Sequence, residues 1–206
     1  MSSRRALARR LEAVEPFSDP RLDLEQYPTP ADVAAHLLHL ADLQGDLSGT
    51  VLDLGAGTGA LALAAACRAP DRVVGVELDD AALATARTNE RRVAPETTVD
   101  WVRGDIRALP VAPPRETTVV ANPPFGAQDG AAGADRPFLA AAADLAAVSY
   151  TLHNAGSRAF VESFAADRGG EVTHAFAVEF DVDRQFAFHD EERRTLSVEA
   201  FRVDWR

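Results

Sequence analysis

The chain has 206 residues, with 47% hydrophobic and 26% charged side chains and a formal net charge of −11 from 21 basic and 32 acidic groups. That balance excludes a disordered chain and suits one packed domain. A single cysteine, Cys67, excludes an internal disulfide framework and a multi-cysteine zinc site, and it reads as a small core residue.

No run of about 18 apolar residues is present, so no membrane span is expected. Residues 1–10 are basic but lack the apolar stretch of a signal peptide, and a cytoplasmic setting is expected. All 21 basic residues are arginine, and Ile106 is the only isoleucine. An acidic, lysine-free, isoleucine-poor chain reads as one adapted to concentrated salt. At ~1 M salt the Debye length is about 3 Å, so net charge then says little about partners.

In chain order, residues 4–14 read as a short amphipathic helix with Leu7, Leu11 and Val14 on one face. Residues 15–30 carry Pro16, Pro20, Pro28 and Pro30 and read as an extended connection. A helix is predicted over 31–43, striped by Val33, Leu37 and Leu40, with His36 and His39 on its surface. A strand over 50–54 runs into a glycine-rich turn and an alanine-rich helix over 60–67. Strand 72–77 and helix 80–92 follow, with Asp80 as the N-cap, and then strands 99–103 and 117–121.

Residues 122–137 read as a long loop, with 126–136 its most mobile part. Helix 137–145, strand 147–152 and helix 157–167 come next. Stretches 171–182 and 195–205 alternate as paired strands. Strands separated by helices predict an α/β, Rossmann-like, mostly parallel seven-stranded sheet. Helices cover both faces by right-handed crossovers, and an antiparallel strand pair ends the chain. The expected layout is one structural domain: an N-terminal helix and extended segment over 1–30, then the Rossmann-like body over 31–206.

Three features lie at predicted strand ends. The first is the turn Gly55-Ala56-Gly57-Thr58-Gly59 after Asp53. Its Gly-x-Gly-x-Gly spacing differs from the Gly-x-Gly-x-x-Gly of dinucleotide folds and favours a ligand without a pyrophosphate. The second is Glu77, 22 positions after Gly55, whose carboxylate can accept both hydroxyls of a ribose; Leu78 follows it. The third is Asp105, which can accept from an adenine amine, with Ile106 against the ring. Together they point to S-adenosylmethionine and a class I methyltransferase, with no metal.

Strand 117–121 leads into Asn122-Pro123-Pro124-Phe125-Gly126. An exocyclic amine conjugated to a ring is a poor nucleophile. The Asn122 amide oxygen and the Pro123 carbonyl can accept its two N–H hydrogens and stabilise the positive charge that develops on the nitrogen. Pro123 and Pro124 hold that backbone, since each fixes φ. Phe125 offers a face for a base. Adenine N6, cytosine N4, guanine N2 and a glutamine side chain all remain open as acceptors.

The segment LEQYPTP over 24–30, the glycine turn, the Asn-Pro-Pro-Phe-Gly motif and SYTLH over 149–153 together resemble one family. It is the small methyltransferase-like family that forms N6-methyladenosine in small-subunit ribosomal RNA of eukaryotes and archaea. The resemblance runs from about residue 5 to the C-terminus. It implies that Gln26, Tyr27 and Thr29 contact the cofactor from the N-terminal segment. Asp53, Gly55, Gly57, Thr58, Gly59 and Ala60 would do so from the glycine turn. Glu77 would hold the ribose, Asp105 the adenine, and Asn122 would stand where cofactor and target meet. It also implies a small zinc-containing activator protein along an exposed sheet edge. Strand 99–103 is the expected edge, with Trp101 as either interface anchor or core aromatic.

For RNA contact the candidates are Arg4, Arg5, Arg9 and Arg10 on the first helix, and His153 and Arg158 after the fifth strand. The alternatives are a glutamine-N5 methyltransferase acting on a translation protein and a non-catalytic cofactor-binding partner. An intact Asn-Pro-Pro-Phe weighs against the second.

Overall fold

A computed structural model describes residues 3–109, 114, 116–124, 133–183 and 193–206. Phe125, Gly126 and most of the predicted loop lie outside the described residues. The elements are α1 (Arg4–Leu11), α2 (Ala31–Leu43), β1 (Thr50–Leu54), α3 (Ala60–Ala66), β2 (Arg72–Glu77), α4 (Asp80–Val93), β3 (Val99–Arg103), β4 (Thr118–Ala121), α5 (Arg136–Leu145), β5 (Val148–Asn154), α6 (Arg158–Asp167), β6 (Glu171–Asp183) and β7 (Arg193–Asp204).

The seven strands form one sheet in the order β3-β2-β1-β4-β5-β7-β6. β1 to β5 pair in parallel, and β7 pairs antiparallel with β5 and β6. Alternation along the strands sorts the core into two faces. Val51, Val73 and Val120 pack with α1, α2 and α3, while Leu52, Leu54, Val74, Val76 and Val119 pack with α5. α6 covers Phe201 and Val203 of β7. α3 reads ALALAAA and is buried on every side, as a helix apolar all round must be. Burial of Leu61 and Leu63 is worth roughly 1.5–3 kcal/mol each.

The N-terminal segment belongs to this core. Leu7 and Leu11 are each 1% exposed within the α2–α3 cluster. Four details differ from the sequence reading. α1 ends at Leu11, and Val14 packs as the chain turns away, its N–H donating to the Leu11 carbonyl. The connection holds a 3-10 turn at Leu22–Leu24, closed by Glu25 with φ of +46°. The N-cap of α4 is Asp79, whose carboxylate accepts from Ala81 N; Asp80 is the first helical residue. His36 and His39 are half-buried, the first stacked on Phe176 and the second beside Arg68.

Trp101 resolves toward the interior. Its indole N–H donates to Glu90 Oε2 at 2.7 Å. Its ring fills a slot where a Cβ on Gly75 would lie 2.5 Å away and one on Gly59 2.8 Å away. The interface-anchor reading is therefore corrected: the ring is wedged between β2 and α4. Among the described residues, no helix is long and apolar enough to cross a membrane.

Candidate active site at the strand ends

The sheet order reverses direction between β1 and β4. In open α/β sheets ligands sit at that switch, outside the carboxyl ends of the strands. A cavity of about 410 Å³ lies there. Gly55 to Thr58 and Ala60 enter it from β1, Glu77 and Leu78 from β2, Gly104 to Arg107 from β3, and Asn122 and Pro124 from β4. The segment before α2 closes one side with Gln26, Tyr27 and Thr29.

The turn is shaped by close approach. Gly55 has φ of +70°, and a Cβ on it would lie 2.8 Å from the Phe138 ring; Gly57 has φ of +54°, and its Cβ would lie 2.9 Å from Phe17. Glu77 braces the same turn. Its Oε2 accepts from Gly57 N at 2.8 Å, and its Oε1 accepts from Leu78 N and Asp79 N. A carboxylate has about four acceptor positions. Three are taken, which leaves a position on Oε2 open toward a ligand hydroxyl.

Asp105 accepts Arg107 N and a two-pronged guanidinium from the same residue. Those bonds with Arg107 hold its carboxyl down at about 2. It lines the cavity as an anion whose two oxygens each take two contacts from Arg107, so an incoming amine would have to displace part of that exposed guanidinium. Asn122 is set differently. Its Nδ2 donates to Thr29 Oγ1 at 3.0 Å, and its Oδ1 is buried with no partner among the described residues. A buried acceptor without a donor is costly, and this one belongs to a residue of the cavity wall.

Several expected site residues stand elsewhere. Asp53 does not line the cavity. It is 1% exposed, accepts from Ala62 N at 2.8 Å through Oδ2, and has no partner for Oδ1 among the described residues. Burial pushes its carboxyl up to about 7. Gly59 faces Trp101, and Pro123 is buried behind the cavity wall. Gln26 lines the cavity, but both ends of its amide are used. Oε1 accepts from Arg21 N, and Nε2 donates to Asp79 Oδ2, which ties the N-terminal segment to the end of β2.

The RNA candidates also separate. His153 is 1% exposed, with Nδ1 on Asp135 and Nε2 on Thr151, each at 2.9 Å. It cannot reach a ligand at the surface, and its expected RNA contact is corrected on that ground. It anchors the start of α5 instead, the helix that delivers Pro137 and Phe138 to the cavity. Arg10 is also structural: it pairs with Glu96 at 2.7 Å and donates to the carbonyls of Val93 and Ala94 at the end of α4. Arg158 is exposed and pairs with Glu162 one turn on. Arg4, Arg5 and Arg9 are exposed. Phe17 and Phe138 are site residues that the sequence reading missed. Each faces a glycine across a long stretch of chain, and no local pattern marks them.

The model of the methyltransferase small domain matches residues 29–149. That span holds every strand-end feature described above. The chain belongs to the methyltransferase small domain family. Its methyl donor is S-adenosylmethionine. The rRNA N(6)-adenosine-methyltransferase Mettl5 of Drosophila melanogaster is 33% identical over 97% of this chain and 95% of its own length. An uncharacterised protein of Methanocaldococcus jannaschii is 30% identical over 99% of this chain and 95% of its own. The crystal structure of a candidate RNA methyltransferase from Pyrococcus horikoshii superposes with a TM-score of 0.87, at 34% identity, over 99% of this chain and 98% of that one.

The residues of this small-domain methyltransferase fit the donor. Glu77 and Asp105 place two carboxylates, and Leu78 and Ile106 apolar walls, within one cavity. Among the described residues no group of three or more His, Cys, Asp or Glu could hold a metal ion.

Proposed function

We propose that this methyltransferase modifies the N6 amine of an adenosine in RNA, in small-subunit ribosomal RNA. The observation that carries the reading is the buried, unpartnered Oδ1 of Asn122 on the cavity wall. An exocyclic amine is the group such an oxygen lacks. Full-length similarity to a protein named for adenosine N6 methylation of rRNA supports the choice of adenine over the other amines.

When bound, the cofactor supplies an electrophilic methyl on a sulfonium. The chain's own residues orient the acceptor. Asn122 Oδ1 would accept one N–H, which favours a pyramidal nitrogen with its lone pair turned outward. Thr29 holds the amide plane of Asn122, and Pro123 and Pro124 fix the backbone beneath it. The partial negative charge of Asn122 Oδ1 stabilises the nitrogen as it becomes positive. The adenosine must be unpaired or extruded, since N6 is engaged in a duplex. An activator protein on the sheet edge enters this reading only because β3 has a single strand neighbour among the described residues. Trp101 lends it no support.

The test is transfer of labelled methyl to ribosomal RNA of the source organism in concentrated salt, followed by nucleoside analysis. Label in N6-methyladenosine is expected. Label in cytidine, guanosine or a glutamine side chain would overturn the reading.

A further inference from the structure

We propose that Arg4 and Arg5 line a second site, separate from the cofactor cavity, that seats a backbone phosphate of the substrate RNA beside the target nucleotide. The inference rests on the RNA reading above and adds where the RNA lies.

A pocket of about 290 Å³ is lined by Arg4, Arg5 and Ala8 of α1, Asp32, Val33 and His36 of α2, and Ala177 of β6. Several arginines elsewhere on this acidic surface are held by carboxylates, Arg72 by Asp100, Arg92 by Glu15, Arg103 by Asp80 and Arg158 by Glu162, whereas Arg9, Arg87 and Arg91 form no such pair among the described residues and line no pocket with a second arginine. Arg4 and Arg5 form no such pair among the described residues. They stand in the first turn of α1, which has no acidic residue. Cations there run against the helix dipole, so helix stability does not account for them. His36 adds a ring nitrogen and is braced by its stack on Phe176, 5.4 Å between centroids. Burial and then the charge of Arg4 lower the pKa of His36, so the positive charge of the site is carried by the arginines. Among the described residues Asp32 is the one acid in the lining, set against two guanidinium groups.

The position relative to the chemistry follows from the chain. Asp32 is three residues after Thr29, which holds Asn122, so their Cα atoms are at most about 11 Å apart. On the sheet, Ala177 is level with Glu199, which is level with His153 near the carboxyl end of β5. The pocket therefore lies on the strand-end side that also carries Asn122. A guanidinium pair is suited to two-pronged phosphate contact, and phosphate contacts set register without reading sequence.

The probe is a fragment of ribosomal RNA that the wild-type protein binds, followed by fluorescence polarisation over a salt series. Arg4→Ala/Arg5→Ala is expected to raise Kd for RNA by at least tenfold and to flatten the logarithmic salt slope by about one to two. Arg4→Lys/Arg5→Lys should recover much of the affinity. Calorimetric affinity for S-adenosylmethionine should stay within twofold in both variants. Unchanged RNA affinity in the alanine variant would overturn the site, as would a parallel loss of cofactor affinity, which would mean that α1 had been displaced. Wild-type binding to anionic vesicles or acidic peptides but not RNA would overturn it as well. Arginine-dependent RNA binding without adenosine methylation would count against the proposed activity and leave the site standing.

Discussion

The side-chain amide of Asn122 donates to Thr29 Oγ1 at 3.0 Å, across 93 residues of sequence. That bond joins β4 to the segment entering α2, and it fixes the plane of the amide. Thr29→Val should therefore leave cofactor affinity within about threefold and lower kcat about tenfold or more. Thr29→Ser, which keeps the hydroxyl, should restore it. Asn122→Ala should lower kcat by about 10²–10³, the usual effect of deleting one charge-stabilising hydrogen-bonding group. Full activity in Asn122→Ala would remove the amine-orienting step.

Glu77 supports the next prediction because it serves two structures at once. Its Oε2 holds Gly57 N, and its Oε1 holds the N–H groups of Leu78 and Asp79. Glu77→Ala should weaken S-adenosylmethionine binding by about 100-fold in calorimetry, since both the hydroxyl acceptor and the brace of the turn are lost. Glu77→Gln should fall between, because an amide NH₂ cannot accept the N–H groups it faces. Unchanged affinity in both variants would remove the ribose role.

How much of this was visible beforehand depends on the distance between partners. Gly55, Glu77, Asp105 and Asn122 each lie at or just after a strand end, so a period-two pattern and the next few residues locate them. The sheet brings those strand ends together by topology alone. Gln26, Arg10 and His153 could be named as functional types, but their partners Asp79, Glu96 and Asp135 lie 53, 86 and 18 residues away. Nothing local says that those polar groups are already taken. Asp53 shows the same limit: its place in the glycine motif suggested a ligand contact, whereas β1 turns it inward to cap the amide of Ala62.

Asp53 gives a pH dependence. Burial raises its carboxyl from 3.8 to about 7 in the folded chain. A raised carboxyl favours the folded state fully below the unfolded value, and the advantage is lost as pH rises through about 7. Relative to pH 4, the wild type should lose up to about 4 kcal/mol by pH 8 from this group. Asp79, Asp135 and Asp204 are shifted downward, so their effect falls at the acid end, outside that window. Thermal melts at pH 5 and pH 8 should show Asp53→Asn closing most of the gap. An equal pH slope in wild type and variant would reject the assignment.

The slot for Trp101 can be tested by filling it. A Cβ on Gly75 would lie 2.5 Å from the ring, with no flexible chain end to yield. Gly75→Ala should cost about 1–3 kcal/mol in denaturant unfolding, as overpacking does. Neutral behaviour would mean that the ring is free to swing out to the β3 edge.

Salt separates two kinds of ion pair in this chain. Arg72 and Asp100 meet at 2.7 Å with side chains 62% and 55% exposed. Such a pair is worth about 0–1 kcal/mol and is screened. Arg202 and Asp46 meet at 2.8 Å with side chains only 9% and 8% exposed, and Tyr150 donates to the same carboxylate at 2.6 Å. Removing one partner of a buried pair strands the other charge in a medium that cannot solvate it, at about 3–5 kcal/mol. Asp46→Ala should therefore destabilise strongly in both dilute and concentrated salt, while Asp100→Ala should be near neutral in both. Replacing the pair with apolar side chains of similar volume should cost less than either single change at that site. If added salt rescued Asp46→Ala, Arg202 would have to be reached by solvent ions, and the pair would behave as a surface contact.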